Sequence, residues 1–443
     1  MKHRGLRTAA LIVAPALLFA GVAAWQSGWW SDAAPTDLPA PFPSPYRTWA
    51  EHVAAIDTVI ANHRERAGHE PTDWLSPSAE ASTWLDRATM TGNVDDYAAA
   101  LAAVAVSDSR AIAAVKPYAL RARIALALHD NAAVEPLLQA AVVDLTFAQA
   151  AAQSEAAMLR GDVALYAGDW RGADTHYARA QMLSPNELVA FRRAYIIERT
   201  QGGDAALTAW LNVAQSTARP SRRMLSALAL RLGGVEMARG DWAEAARWHD
   251  RAERYLPGDW HVAARRLQDR AVSGDLAGAI AGMATLAVAH DRPELWDALA
   301  LWQRAAGQDN GAATARAQDG WDSFAAQYPR AVAGHRAEHA LIAGDANAAV
   351  AFARANHANR PYGDAAILLA TALNASGDIA GARALVSRTT ATGWRSVESD
   401  RLMFELAALA GDGTAAEQAR DAAELRNPRA FDPVMRLILF GLH

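Results

Sequence analysis

The sequence contains no cysteine. That one absence excludes disulfides, zinc–thiolate sites, thiol nucleophiles and a lipidated N-terminal Cys. Lysine is almost as scarce. Lys2 and Lys116 are the only two among 43 basic residues, so Schiff-base and phosphate-loop lysine chemistry has almost nothing to run on. No glycine-rich loop joins a strand to a helix, and no Ser, His and Asp stand in a local catalytic pattern. A formal charge of −5 over 443 residues lacks the basic excess of a nucleic-acid binder. The short basic groups at 191–193 and 265–270 read as solvated helix faces. In excess are apolar residues, at 52%, and the surplus is alanine rather than valine or isoleucine, which favours helix.

The N-terminus carries an export pattern. Lys2, Arg4 and Arg7 precede an uncharged run from Thr8 to Ser31 whose apolar core is TAALIVAPALLFAGVAA. Residues 1–24 are expected to be a signal peptide cleaved after Ala24 or an uncleaved signal anchor, with Trp25, Trp29 and Trp30 at the membrane interface in the second case. Either form sends the rest of the chain out of the cytoplasm, into the periplasm of a bacterial-type cell, soluble or tethered to the inner membrane. Residues 25–45 hold Pro35, Pro39, Pro41, Pro43 and Pro45 and read as a semi-rigid linker. Trp49, Val53, Ile56 and Ile60 then share one face of a helix, so 46–78 is expected to be an N-terminal helix and loop.

From Ala79 the chain is periodic. Gly92, His129, Gly168, Gly203, Gly240, Gly274, Gly307, Gly344, Gly377 and Gly411 follow one another at intervals of 33 to 39 residues, each closing an alanine-rich stretch. Glycine there allows the left-handed conformation that ends a first helix. An Asp follows directly at 169, 204, 241, 275, 345, 378 and 412, placed to cap a second helix. Five residues after the glycine stands Ala173, 245, 279, 312, 349, 382 or 416, where a methyl group permits close helix approach. Pro185, Pro257, Pro361 and Pro428 stop second helices.

Gly161, Gly168, Ala173, Tyr177, Ala180 and Pro185 in one unit, and Gly233, Gly240, Ala245, Ala252 and Pro257 in another, resemble the tetratricopeptide repeat (TPR), a helix–turn–helix unit of about 34 residues. The resemblance runs over about 79–430 and thins at 117–147 and 308–329. It implies an all-α, right-handed superhelical solenoid of about ten TPR-like hairpins. Residues 431–443, FDPVMRLILFGLH, are expected to form a C-terminal capping helix.

The resemblance also implies a concave face lined by positions 2, 5, 9 and 12 of each unit. Read with the turn glycines at position 15, these include Glu155, Asp162, Glu294, Asp297, Glu338, Asp364, Glu398 and Glu405, opposed only by Arg193, Arg304 and Arg401. An acidic concave face would favour a basic protein or peptide partner. It would disfavour a clamp on a C-terminal carboxylate.

Two patterns offer other chemistry. His335-Arg-Ala-Glu338-His339 matches a helical zinc-peptidase motif, with two histidines one turn apart and Glu338 as base. Solvated helical histidines are the expectation, because the segment reads as the first helix of a hairpin. Fifteen tryptophans suggest a glycan-handling module of a cell-surface polysaccharide pathway, yet Trp170, Trp242 and Trp296 fall where a TPR packs aromatics. Trp248, Trp302 and Trp321 are expected in the core. The resulting reading is an exported scaffold that binds protein or peptide, with no enzyme activity, cofactor, metal or nucleic-acid partner. A metal-dependent hydrolase and a glycan-handling module are the alternatives.

Overall fold

The computed structural model describes residues 37–143 and 148–438. The expected signal segment, most of the linker and the last five residues of the expected capping helix lie outside them. Every described element is helical. In chain order the α-helices are α1 Trp49–His69, α2 Leu75–Thr91, α3 Val94–Arg110, α4 Tyr118–Ala127, α5 Asn131–Ala140, α6 Ala150–Tyr166 and α7 Trp170–Leu183. There follow α8 Glu187–Gln201, α9 Gly203–Gln215, α10 Arg222–Arg239, α11 Trp242–Tyr255, α12 Trp260–Val272, α13 Leu276–His290 and α14 Pro293–Ala305. The series ends with α15 Gly311–Gln327, α16 Pro329–Ala343, α17 Ala346–Asn359, α18 Gly363–Ala375, α19 Ile379–Ala391, α20 Val397–Leu409 and α21 Gly413–Arg426. From α2 onward they pair as ten hairpins, an all-α repeat solenoid.

The turns show why the pattern folds this way. Gly168, Gly240, Gly274, Gly344, Gly377 and Gly411 adopt positive φ. His129 does the same at φ 59, taking the glycine's place at the cost of a conformation that side chains resist. Asp169, Asp241, Asp275, Asp345, Asp378 and Asp412 each accept a backbone N–H three residues on, capping the second helix. Buried alanines follow at 173, 245, 279, 349, 382 and 416.

Two turns depart from the expected register. Between α8 and α9 the left-handed residue is Gly202, not Gly203, and Asp204 caps nothing because it already lies inside the helix. After Gly307 the loop is longer and α15 starts at Gly311, so Ala313 faces the core while Ala312 is exposed.

The ends also differ from expectation. Pro77 sits in the first turn of α2, where a missing N–H costs no helical bond, so the array begins at Leu75. The described end of the linker is not a free spacer. Leu38 is buried against α9 and α10, Phe42 N–H donates to the Pro220 carbonyl at 2.8 Å, and Trp49 N–H donates to the Pro257 carbonyl at 2.9 Å. The described part of the C-terminal segment, up to residue 438, is not an α-helix. It makes a short 3-10 turn, Pro433–Leu437, that reaches α12 and α14, while Phe431 and Met435 pack on the last hairpin against Phe404, Val397 and Ala423.

The solenoid coils so tightly that hairpins five or six places apart in the chain meet. Arg292 donates to the carbonyl of Gly92, 200 residues away. Arg360 Nη1 lies 2.9 Å from His129 Nε2 across 231 residues, and Trp170 Nε1 donates to the Thr392 carbonyl at 3.2 Å across 222. Arg395 N–H donates to the Arg199 carbonyl at 2.8 Å. These contacts form a seam between successive superhelical turns.

Candidate functional site: the superhelical channel

Coiling encloses a cavity of about 2510 Å³, lined mainly by the first helix of each hairpin. Six of the eight acids expected on the concave face reach it: Asp162, Glu294, Asp297, Glu338, Asp364 and Glu398. Glu155 instead faces Arg123 at 3.7 Å outside the lining, and Glu405 is exposed near the end of the array. Of the opposing arginines only Arg304 reaches the channel, where it donates to the Ile342 carbonyl at 2.8 Å.

Asp162, Asp364 and Asp297 are each held by neighbours. Asp162 takes the Tyr177 hydroxyl at 2.7 Å and Arg192 through two N–H groups at 2.6 and 2.8 Å. A bidentate guanidinium satisfies both carboxylate oxygens. Asp364 accepts from Tyr195 at 2.6 Å and Trp394 at 2.9 Å, with Arg199 at 3.1 Å. Because Tyr195 and Arg199 lie on α8 and Asp364 on α18, this acid joins two superhelical turns. Asp297 lies 2.6 Å from His339 Nδ1 and accepts from Trp321 Nε1 at 2.8 Å. Burial raises its carboxyl above the usual range despite both partners.

The expected acidic surplus is absent. Thirteen arginines line the channel against twelve aspartates and glutamates. Arginines such as Arg192, Arg199, Arg231 and Arg265 reach the cavity from helix positions outside 2, 5, 9 and 12. Burial holds Arg223 and Arg265 below their ordinary values, and the nearby charge of Arg231 helps bring Arg265 to about 10. A lining so nearly balanced has no charge preference for a basic partner.

The HRAEH segment splits its two histidines. His339 is buried on Asp297, whereas His335 stacks on Trp321 at 5.0 Å with its Nδ1 3.6 Å from Glu338. Burial lowers the basicity of His335, but the bond to Glu338 and its charge outweigh burial, so the ring titrates above its usual value. His339 is thus not a solvated histidine, His335 is partly exposed to the channel, and among the described residues no group of three or more His, Asp or Glu is placed to hold a metal. Trp248, Trp302 and Trp321 are buried as expected. Trp170 and Trp242 differ: Trp170 bonds across the seam, and Trp242 carries Arg429 over its ring at 4.5 Å.

Paired helices, left-handed turn residues, aspartate caps and buried alanines together define the tetratricopeptide-repeat fold. No family model matches the chain, and no curated protein matches it. Solved structures do. One, described as a tetratricopeptide repeat protein from Parabacteroides merdae, is 15% identical with a TM-score of 0.35, covering 58% of this chain and 98% of its own. The P58(IPK) TPR domain is 13% identical with a TM-score of 0.22, covering 81% and 98%. The APC/C hetero-tetramer Cut9-Hcn1 gives 12% identity and a TM-score of 0.31, covering 87% and 96%.

Proposed function

We propose that this protein is a non-enzymatic scaffold whose channel holds an extended polypeptide segment of a partner. The observation that carries the reading is the channel itself: a concave wall around about 2510 Å³ whose most buried carboxylates, Asp162 and Asp297, are already held by neighbouring side chains. Such a wall supplies shape, apolar contact and fixed charge, and repeat arrays present extended concave surfaces of this kind. A photo-crosslinking amino acid at Leu188, which is exposed within the channel, should capture a protein partner in cells. The same group at Met182, exposed and outside the lining, should not. Equal capture from both positions would remove the channel from the function.

The location belongs to the same proposal. The basic and then uncharged N-terminal run supports export to the periplasm, with tethering if it is not cleaved. Among the described residues no helix is long and apolar enough to cross a membrane. A reporter fused after Pro45 should be active outside the cytoplasm, and cytoplasmic activity would overturn export.

A further inference from the structure

The segment after α21 does something the repeat pattern does not require. Phe431 and Met435 stay on the last hairpin, against Phe404, Val397 and Ala423, and the 3-10 turn carries Leu437 onward against α12 and α14. Leu437 is 5% exposed and joins the apolar cluster of Trp260, Leu295, Ala298 and Trp302. The Leu437 carbonyl accepts the Trp302 indole N–H at 2.9 Å, inside that cluster. Met435 is also buried, while Arg436 between them is exposed and lines the channel. Met435 packs on the last hairpin, Leu437 alone enters the cluster of α12 and α14, and the polar contact there is made by main chain.

We propose that the concave wall of α12 and α14 is a docking groove for a short aliphatic peptide of a partner, bound as a 3-10 turn, and that residues 433–438 are its resident, displaceable occupant. This rests on the scaffold reading and names the chemistry of the segment bound. The groove asks for an aliphatic side chain at the Leu437 position and a backbone carbonyl for Trp302. Any peptide has the carbonyl, so selectivity falls on the side chain. A buried indole N–H without an acceptor is unfavourable, so an empty groove is disfavoured and exchange of one peptide for another is the natural transition. Tethering places the resident segment at an effective concentration of the order of millimolar, so a free peptide competes poorly until the segment is released.

The test uses the peptide DPVMRLI, residues 432–438, labelled with a fluorophore, and a chain ending at Asp432. The shortened chain should bind the peptide, and the full chain should bind at least about tenfold more weakly. A peptide with Leu437→Asp should lose at least about tenfold on the shortened chain, because it carries a charge into an apolar pocket. Failure of a folded shortened chain to bind, or equal binding by the full chain, overturns the proposal. If the shortened chain does not fold, full-length Leu437→Asp takes its place. It should bind the unaltered peptide at least about tenfold more tightly than the unaltered chain, and no gain overturns the proposal. Crosslinking at Leu188 reports separately on the scaffold reading, since α8 does not form this groove.

Discussion

The α6–α7 hairpin and the His129–Arg360 seam are held by different kinds of contact. In the hairpin, Gly161 faces Tyr177 so closely that an added Cβ would lie 2.3 Å from the ring. The tyrosine hydroxyl then reaches Asp162, one residue along. Every participant lies within a single repeat, and the interval from Gly161 to Tyr177 recurs from Gly233 to His249, where the imidazole fills the same space. At the seam, His129 accepts Arg360, Asn359 donates to the His129 carbonyl at 2.9 Å, and Arg360 lies over Tyr166 and Tyr362. His129 stands 230 and 231 residues from Asn359 and Arg360, and no interval announces the pairing. The hairpin is a local solution repeated, whereas the seam is a property of the whole coil.

The largest effect should come from breaking the local solution. Gly161→Val must displace the Tyr177 ring and its bond to Asp162, and overpacking of this kind costs about 1–3 kcal/mol, sometimes more. Denaturant unfolding should show it, and a cost close to zero would mean that the repeat interval does not mark a helix contact. Neighbouring hairpins should also weaken, because stability in an array is shared between adjacent repeats.

Breaking the seam should act next most strongly, and differently. Arg360→Ala removes contacts to His129 and Asn356, costing about 1–3 kcal/mol by the usual worth of buried charged hydrogen bonds. Unlike Gly161→Val, it should open the coil while leaving the hairpins helical. Small-angle scattering should report a larger radius at unchanged helical content, and an unchanged radius would show that stacking alone sets the coil.

A pH series sharpens the same contrast. Burial and the adjacent Arg360 hold His129 down to about 3, from an ordinary value near 6.5. The folded state therefore keeps this ring neutral where the unfolded chain protonates it. Its stabilising contribution is full above about pH 6.5 and declines as pH falls toward 3, by at most about 1.4 kcal/mol per unit. His129→Asn, which tolerates positive φ, should flatten that part of the stability curve. Identical pH profiles for the two chains would remove His129 as the cause.

The smallest effect should come from a side chain that serves neither contact. Met182 is 81% exposed on α7, and Met182→Gln should change stability by less than about 0.5 kcal/mol.

Much of the hairpin was legible because its determinants are close in sequence. A left-handed turn residue, an aspartate cap and a buried alanine recur at short fixed offsets, and even His129 betrayed itself by occupying the glycine's place. The shift to Gly202 and the longer turn after Gly307 escaped because adjacent glycines leave the turn position ambiguous, and extra loop residues rotate the following helix. The channel was half legible. Position counting found Asp162, Asp297 and Asp364, yet it could not see that Arg192, Trp321 and Tyr195 would satisfy them. It also missed most of the arginines that bring the lining to near balance.

The amino-acid order by itself determined the helical hairpin, its number of copies and the small residues at its contacts, because each depends on interactions within a few turns of chain. Only the tertiary structure decided how tightly the hairpins coil, which hairpins five or six places apart then touch, and where the C-terminal segment goes. A small rotation at each repeat accumulates along the array, so the meeting of His129 with Arg360, or of Trp302 with Leu437, depends on the sum of many packing angles. No single interval in the sequence contains that sum.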